Sequence, residues 1–156
     1  MSIKKFFINE KEEIYKIIDQ ADACYVSMTD LEGNPYCVPM NFGFKNEIFY
    51  FHSGKGGKKM EIFQKNPKVC IVLDIDRELN VRHEGVACSY SMKYQSVMAY
   101  GNIEIIKDLD EKREYMNIIM KHYTSRDDFK YNDPAIKNVE IMRVKCDYLA
   151  GHNRGY

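Results

Sequence analysis

Surplus charge of either sign is missing from this chain: 23 Lys and Arg residues balance 23 Asp and Glu residues across 156 positions. Contact with a nucleic-acid backbone draws on a basic excess, so nucleic acid is not expected as the main partner. Long apolar runs are missing too. No stretch approaches the ~18 apolar residues of a membrane span, and the first residues lack the apolar core of a signal peptide. A cytoplasmic protein without a membrane partner is the expectation. Cys24, Cys37, Cys70, Cys88 and Cys146 are odd in number and scattered, with no C-x-x-C pair. They are expected as reduced and mostly buried side chains rather than zinc ligands. His83, His122 and His152 share no H-x-x-x-H spacing, so they read as surface residues and no metal site is expected. No GxSxG, Walker, HExxH or Rossmann fingerprint occurs, which removes the common hydrolase, nucleotidase and metalloprotease chemistries. Repeats are absent, and the length fits one domain spanning 1–156.

What is present is a concentration of glycine and lysine at one point, Phe51-His52-Ser53-Gly54-Lys55-Gly56-Gly57-Lys58-Lys59. A strand ends there and a helix begins. The start of a helix carries partial positive charge from its unpaired N–H groups, so lysines in its first turn are unfavourable unless something negative offsets them. A phosphate meets that need, because glycines let backbone N–H groups come close to its oxygens while lysines supply charge. A solvated basic turn fits the same residues.

The pattern elsewhere is mostly β. Asn9 and Glu12 resemble a capping box ahead of Ile14, Ile17, Ile18 and Ala21 at helical spacing. Residues 24–29 read as a strand and 30–34 as a hairpin loop. One strand is predicted over 35–44, with Tyr36, Val38, Met40, Phe42 and Phe44 on one face; Pro39 makes it an edge or an interrupted strand, and an interruption would free backbone groups to meet a ligand. A further strand covers 47–53, and the helix after the glycines should stop at Asn66-Pro67. Strands are expected over 69–75 and 96–106, with a long excursion between them at 76–93 holding at most a short helix. Asp108 and Glu111 again resemble a capping box, opening the longest helix with Met116, Ile119, Met120 and Tyr123. Polar residues 126–134 break it, and a last strand runs over 139–149 and ends at Gly151. About six strands joined mainly by hairpins, with two or three helices, point to a small antiparallel barrel.

Pro35-Tyr36-Cys37-Val38-Pro39-Met40-Asn41-Phe42-Gly43, Tyr50-Phe51-His52-Ser53 with Gly56-Gly57-Lys58-Lys59, and Asn66-Pro67-Lys68-Val69-Cys70 together resemble the FMN-binding split-barrel family of pyridoxamine 5'-phosphate oxidase. Cys88, Tyr94-Gln95-Ser96-Val97 and Gly101 are similar to its 5-nitroimidazole resistance (Nim) branch. The resemblance implies a mainly β fold with flanking helices, a six-stranded antiparallel Greek-key split barrel, and FMN held at a homodimer interface. By residue, Val38, Pro39, Met40, Asn41 and Phe42 would lie along the flavin, with His52 and Ser53 at the end of the next strand. Lys58 and Lys59 would take the phosphate, and Ser96 would reach the flavin from the partner subunit. Lys58 stands where oxidase members of the family usually carry Arg, and lysine lacks the bidentate fork. The oxidase's arginine-rich C-terminal signature has no counterpart in 148–156, so pyridoxine phosphate oxidation is not expected. Gly151-His152 replaces the Gly-Lys that often ends the last strand of Nim proteins.

If FMN is bound, the flavin carries the redox chemistry and the protein supplies orientation and access. The expected activity is an FMN-dependent oxidoreductase that reduces a nitroaromatic or another small electrophilic aromatic. His52 is the candidate catalytic residue, as a proton donor titrating near neutral pH, with anchoring of the flavin or barrel mouth as its alternative. On an alternating strand His52 and Ser53 face opposite sides, so one of them should be secondary. Tyr90, Met92, Tyr94 and Met98 are candidates for the wall of an aromatic slot, with core packing as the alternative. A flavin-binding module without dedicated turnover and a haem-handling relative remain open on the same fold.

Overall fold

The computed structural model describes residues 6–156. Eight antiparallel strands and four helices follow the chain in the order β1 (Phe7–Ile8), α1 (Lys11–Gln20), β2 (Cys24–Thr29), β3 (Pro35–Met40), β4 (Phe42–Lys45), β5 (Ile48–Gly54), α2 (Lys58–Lys65), β6 (Lys68–Val81), β7 (Tyr90–Ile106), α3 (Leu109–Thr124), α4 (Asp133–Lys137) and β8 (Val139–Arg154). They form one sheet in the order β3-β2-β6-β7-β8-β5-β4, with β1 added to β8. The two ends of that path, β3 and β4, are separated by Asn41 alone. Two peptide units span roughly 7 Å. The sheet therefore rolls round until its ends lie side by side, and because no ladder joins them the barrel is split there. The mainly antiparallel sheet with flanking helices matches the split-barrel expectation.

Alternation decides what goes inside. Val26, Phe49, Phe51, Ile71, Leu73, Val97, Ala99, Met142 and Val144 point inward and are buried, joined by Met40 and Phe42 from either side of the split. Helix α1 closes one opening with Ile14, Ile17 and Ile18, and α2 contributes Met60, Ile62 and Phe63. On the other face of β5 and β8, α3 covers a second cluster of Tyr50, Ile106, Tyr115, Ile119 and Ile141. Gly43 permits that contact: a Cβ there would lie 2.8 Å from the Ile118 carbonyl carbon. Asp108 caps α3 as expected, accepting from the N–H groups of Asp110 and Glu111. No helix among the described residues is long and apolar enough to cross a membrane.

Several local expectations change. Helix α1 begins after Glu10, which makes no side-chain cap, so the Asn9–Glu12 capping box does not form. The single strand over 35–44 is two strands broken at Asn41, because β3 and β4 pair with different neighbours, β2 and β5. One of the backbone groups at the break is taken up within the protein: the Phe42 N–H donates to the Tyr123 hydroxyl at 3.0 Å, which donates in turn to the Asp22 carbonyl at 2.9 Å. The excursion at 76–93 is mostly strand, a hairpin arm extending β6 and β7, with a 3-10 turn at Ala87–Ser89. Charges in that segment hid its alternation, and a bulge at 76–77 shifts its register. β8 continues past Gly151 to Arg154, where β1 pairs with Gly151 and His152. The break at 126–134 gives way to α4, capped by Asn132. Cys24 is buried, Cys70 and Cys146 are partly buried, and Cys37 and Cys88 are exposed rather than buried, all as free thiols.

Gly43→Ala should push α3 off β4 and lower stability by about 1–3 kcal/mol, the usual cost of overpacking. Urea denaturation measures it, and a loss under ~0.5 kcal/mol would show that α3 shifts freely.

Candidate functional site

Three segments meet at one end of the barrel to form a cavity of about 280 Å³ lined by Tyr36 and Val38 of β3, Ser53 and Gly54 of β5, and 55–59 of the loop into α2. β5 ends there because Gly56 and Gly57 take φ of +78° and +85°, the left-handed region that a Cβ disfavours. Those two turns swing the chain directly into α2, so its first N–H groups and its lysines border the same space. A Cβ added at Gly54, Gly56 or Gly57 would meet no atom within 4 Å, so open room lies against the backbone. Such a loop at the head of a helix is suited to an anion.

The lysines are not equivalent. Lys58 lies 3.1 Å from the Asp30 carboxylate and 5.1 Å from the centre of the Tyr36 ring, so the negative partner expected of a lysine at a helix start is supplied in part by the protein. Asp30 is fixed in turn by the hairpin loop, accepting from the N–H groups of Glu32 and Asn34. Backbone hydrogen bonding from Asn34, and then Lys58, holds its carboxyl down to about 2. Lys55 and Lys59 line the cavity as well. Asp30 and Tyr36 thus belong to the corner, although the sequence presented Asp30 only as a loop residue.

The expected site residues are not all brought together. Val38, Ser53, Lys58 and Lys59 meet in the cavity. Met40 and Phe42 are buried in the core, while Pro39 and Asn41 are exposed beside them. Ser96 lies on β7 between Asp74 and His152, away from this corner. His52 is on the opposite face of β5 from Ser53, the face it shares with Tyr50, and it does not line the cavity. Its Nδ1 is buried without a hydrogen-bond partner. Burial, followed by the charge of Lys59, pushes its pKa below the ordinary histidine value.

The family model described as pyridoxamine 5'-phosphate oxidase matches residues 10–153. The chain belongs to that family. Within it, a candidate 5-nitroimidazole antibiotic resistance protein from Bacteroides thetaiotaomicron is 49% identical, with a TM-score of 0.84 over 94% of this chain and 85% of that one. The flavocytochrome Anf3 from Azotobacter vinelandii has a TM-score of 0.83 at 16% identity, covering 100% of this chain and 73% of that one. An FAD and haem binding protein from Mycobacterium smegmatis has a TM-score of 0.84 at 14% identity, covering 96% and 74%. These last two share the fold alone. No curated protein matches the sequence.

His52 supplies a pH test. Its folded form resists protonation, whereas in the unfolded chain it takes a proton near pH 6.5, so its contribution to stability is lost as pH falls through and below that value. His52→Gln should show a shallower loss of stability between pH 7 and pH 5 than the wild type. Parallel curves in thermal melts would mean that the imidazole is not held neutral.

Proposed function

We propose that the 54–59 corner binds the phosphate of FMN and that the protein is an FMN-dependent oxidoreductase acting on small nitroaromatics of the 5-nitroimidazole kind. The observation that carries the phosphate half is the pair of left-handed glycines opening space at a lysine-rich helix start. Loop N–H groups, with Lys59 and Lys55, would hold the phosphate, while Lys58 stays oriented between Asp30 and Tyr36. Bound flavin would supply the electron and hydride chemistry. Membership of the family and the 49% identical relative support the substrate class.

The residues fit the phosphate end better than the ring. At about 280 Å³ the cavity falls just below the ~300–1,000 Å³ of pockets that enclose drug-sized ligands, so a flavin ring extends beyond it along β3. A homodimer that closes this side belongs to the same reading. On this geometry His52 lies on the far face of β5 from Ser53 and the cavity, so it is not placed to donate a proton there.

Replacing both Lys58 and Lys59 by Ala should weaken FMN by about 1.5–3 kcal/mol, the value of the one charge-assisted contact made by Lys59, and leave riboflavin nearly unaffected. Equal losses for the two flavins would refute the phosphate assignment. For turnover, pre-reduced FMN-saturated enzyme should be reoxidised by a nitroaromatic in a single turnover. His52→Gln should keep that rate within a few fold, since a lost general acid costs roughly 10²–10⁴. No acceleration over free reduced FMN would remove the oxidoreductase reading while leaving flavin binding intact.

A further inference from the structure

A second cavity, about 590 Å³ against about 280 Å³ at the corner, lies toward the other end of β5. Phe44, which lines it, pairs with Phe49, five residues and ~17 Å before Gly54. Its volume falls within the ~300–1,000 Å³ of pockets that enclose small ligands. Three elements build it. β4 supplies Phe44 and Lys45, and the last turn of α1 supplies Asp19. Helix α3 turns one face to it, with Glu114, Ile118 and Lys121 at the four- and three-residue spacing of a helix side.

The backbone of β4 is part of this wall. β4 ends the sheet and pairs with β5 alone. In an antiparallel pair every second residue turns its N–H and C=O away from the partner strand. Phe42 is such a residue, since its N–H donates to Tyr123. Phe44, two residues on, shares that direction, and no other element bonds its N–H or C=O among the described residues. Tyr123 of α3 and Asp22 just past α1 stand at this edge, so it faces the gap between the two helices that the cavity occupies. One donor and one acceptor thus lie side by side, the pair that a single extended residue of an amide-linked ligand would engage.

Charge is uneven along the groove. Phe42 lies beside His122, with ring centres 4.5 Å apart, and Gly43 lies beside Ile118. β4 and α3 therefore run in opposite directions, and Lys45 falls toward Glu114, where the two charges offset each other. At the other end His122 Nε2 donates to the Ala21 carbonyl at 2.8 Å, which ties the end of α1 to α3. Asp127 there is paired with Lys121 at 2.9 Å, while Asp19 makes no ion pair among the described residues. That end is net negative.

We propose that this groove is a second binding site, for a small cationic amide. Its apolar body would lie between Phe44 and Ile118, its amide groups would pair with the Phe44 N–H and C=O, and its ammonium would sit beside Asp19. The site stands whether or not the corner holds a flavin.

Three blocked amino acids test it: the N-methylamides of acetyl-lysine, acetyl-norleucine and acetyl-glutamate, titrated into the whole chain while its backbone amide NMR shifts are followed. The lysine compound should shift Phe44 and Ile118 saturably and leave Gly56 and Gly57 unmoved. It should bind about two- to fivefold more tightly than the norleucine compound, as one exposed ion pair allows, with the glutamate compound weakest. Asp19→Asn should remove most of that preference while Phe44 still shifts. Hydrogen exchange at the Phe44 amide should slow when the lysine compound is bound. No saturable shift at Phe44, or shifts confined to Gly56 and Gly57, would overturn the site. Equal affinity for the lysine and glutamate compounds, or an undiminished preference in Asp19→Asn, would overturn the cation assignment. Unchanged exchange at Phe44 would overturn the pairing with the strand edge.

Discussion

Met40 and Phe42 belong to opposite ends of the sheet, yet only Asn41 lies between them. That short link forces the sheet to roll, and the rolling decides the remaining geometry. It turns Phe42, Phe49 and Phe51 into a common interior and brings Tyr36 and Val38 of the first edge close to Ser53 near the second. A break in a sheet normally leaves polar groups to be satisfied. Here the Tyr123 hydroxyl takes the Phe42 N–H and passes a hydrogen bond to Asp22, tying α3 to the chain between α1 and β2. The Phe42 N–H at the split is therefore satisfied within the protein, while β3 remains an edge paired with β2 alone.

The glycine loop combines two effects that point the same way. Left-handed glycines expose amides, and a helix start adds partial positive charge, so an anion is favoured before any side chain is counted. Asp30 works against part of this by neutralising Lys58, but it also holds that lysine beside the Tyr36 ring instead of leaving it mobile. A corner with one lysine already oriented has less side-chain freedom to lose when a phosphate arrives. The outer face has a different logic: its exposed tyrosines and methionines serve no core, and their alternation along β7 continues unbroken from barrel to arm.

The barrel and the glycine corner were legible in the sequence because both rest on local signals, β-branched alternation in 69–75 and 96–106 and a glycine cluster ahead of an amphipathic helix. The pairing of 35–40 and 42–45 with different partners was not legible, since alternation continues across Asn41 and only long-range pairing divides the two strands. The arm was hidden by its own amphipathicity: a ribbon with Glu78, Asn80, Ser91 and Lys93 on one face has the composition of a loop. Asp30 escaped notice for a similar reason, because a turn-forming Asp looks the same whether or not a lysine from another element reaches it. His52 shows the reverse limit. Its place in a motif pointed to the site, but the two-residue period of β5 placed Ser53 in the cavity and His52 behind it.

The central claim is that one chain offers one flavin-phosphate corner. Titrating the purified protein with FMN while recording its visible spectrum and flavin fluorescence tests this most directly. The account predicts saturation at one FMN per chain, with a perturbed blue absorption band and inorganic phosphate competing for the site. An unperturbed spectrum at FMN concentrations well above those of the protein, or a protein that instead takes up haem and shows a sharp Soret band, would contradict it.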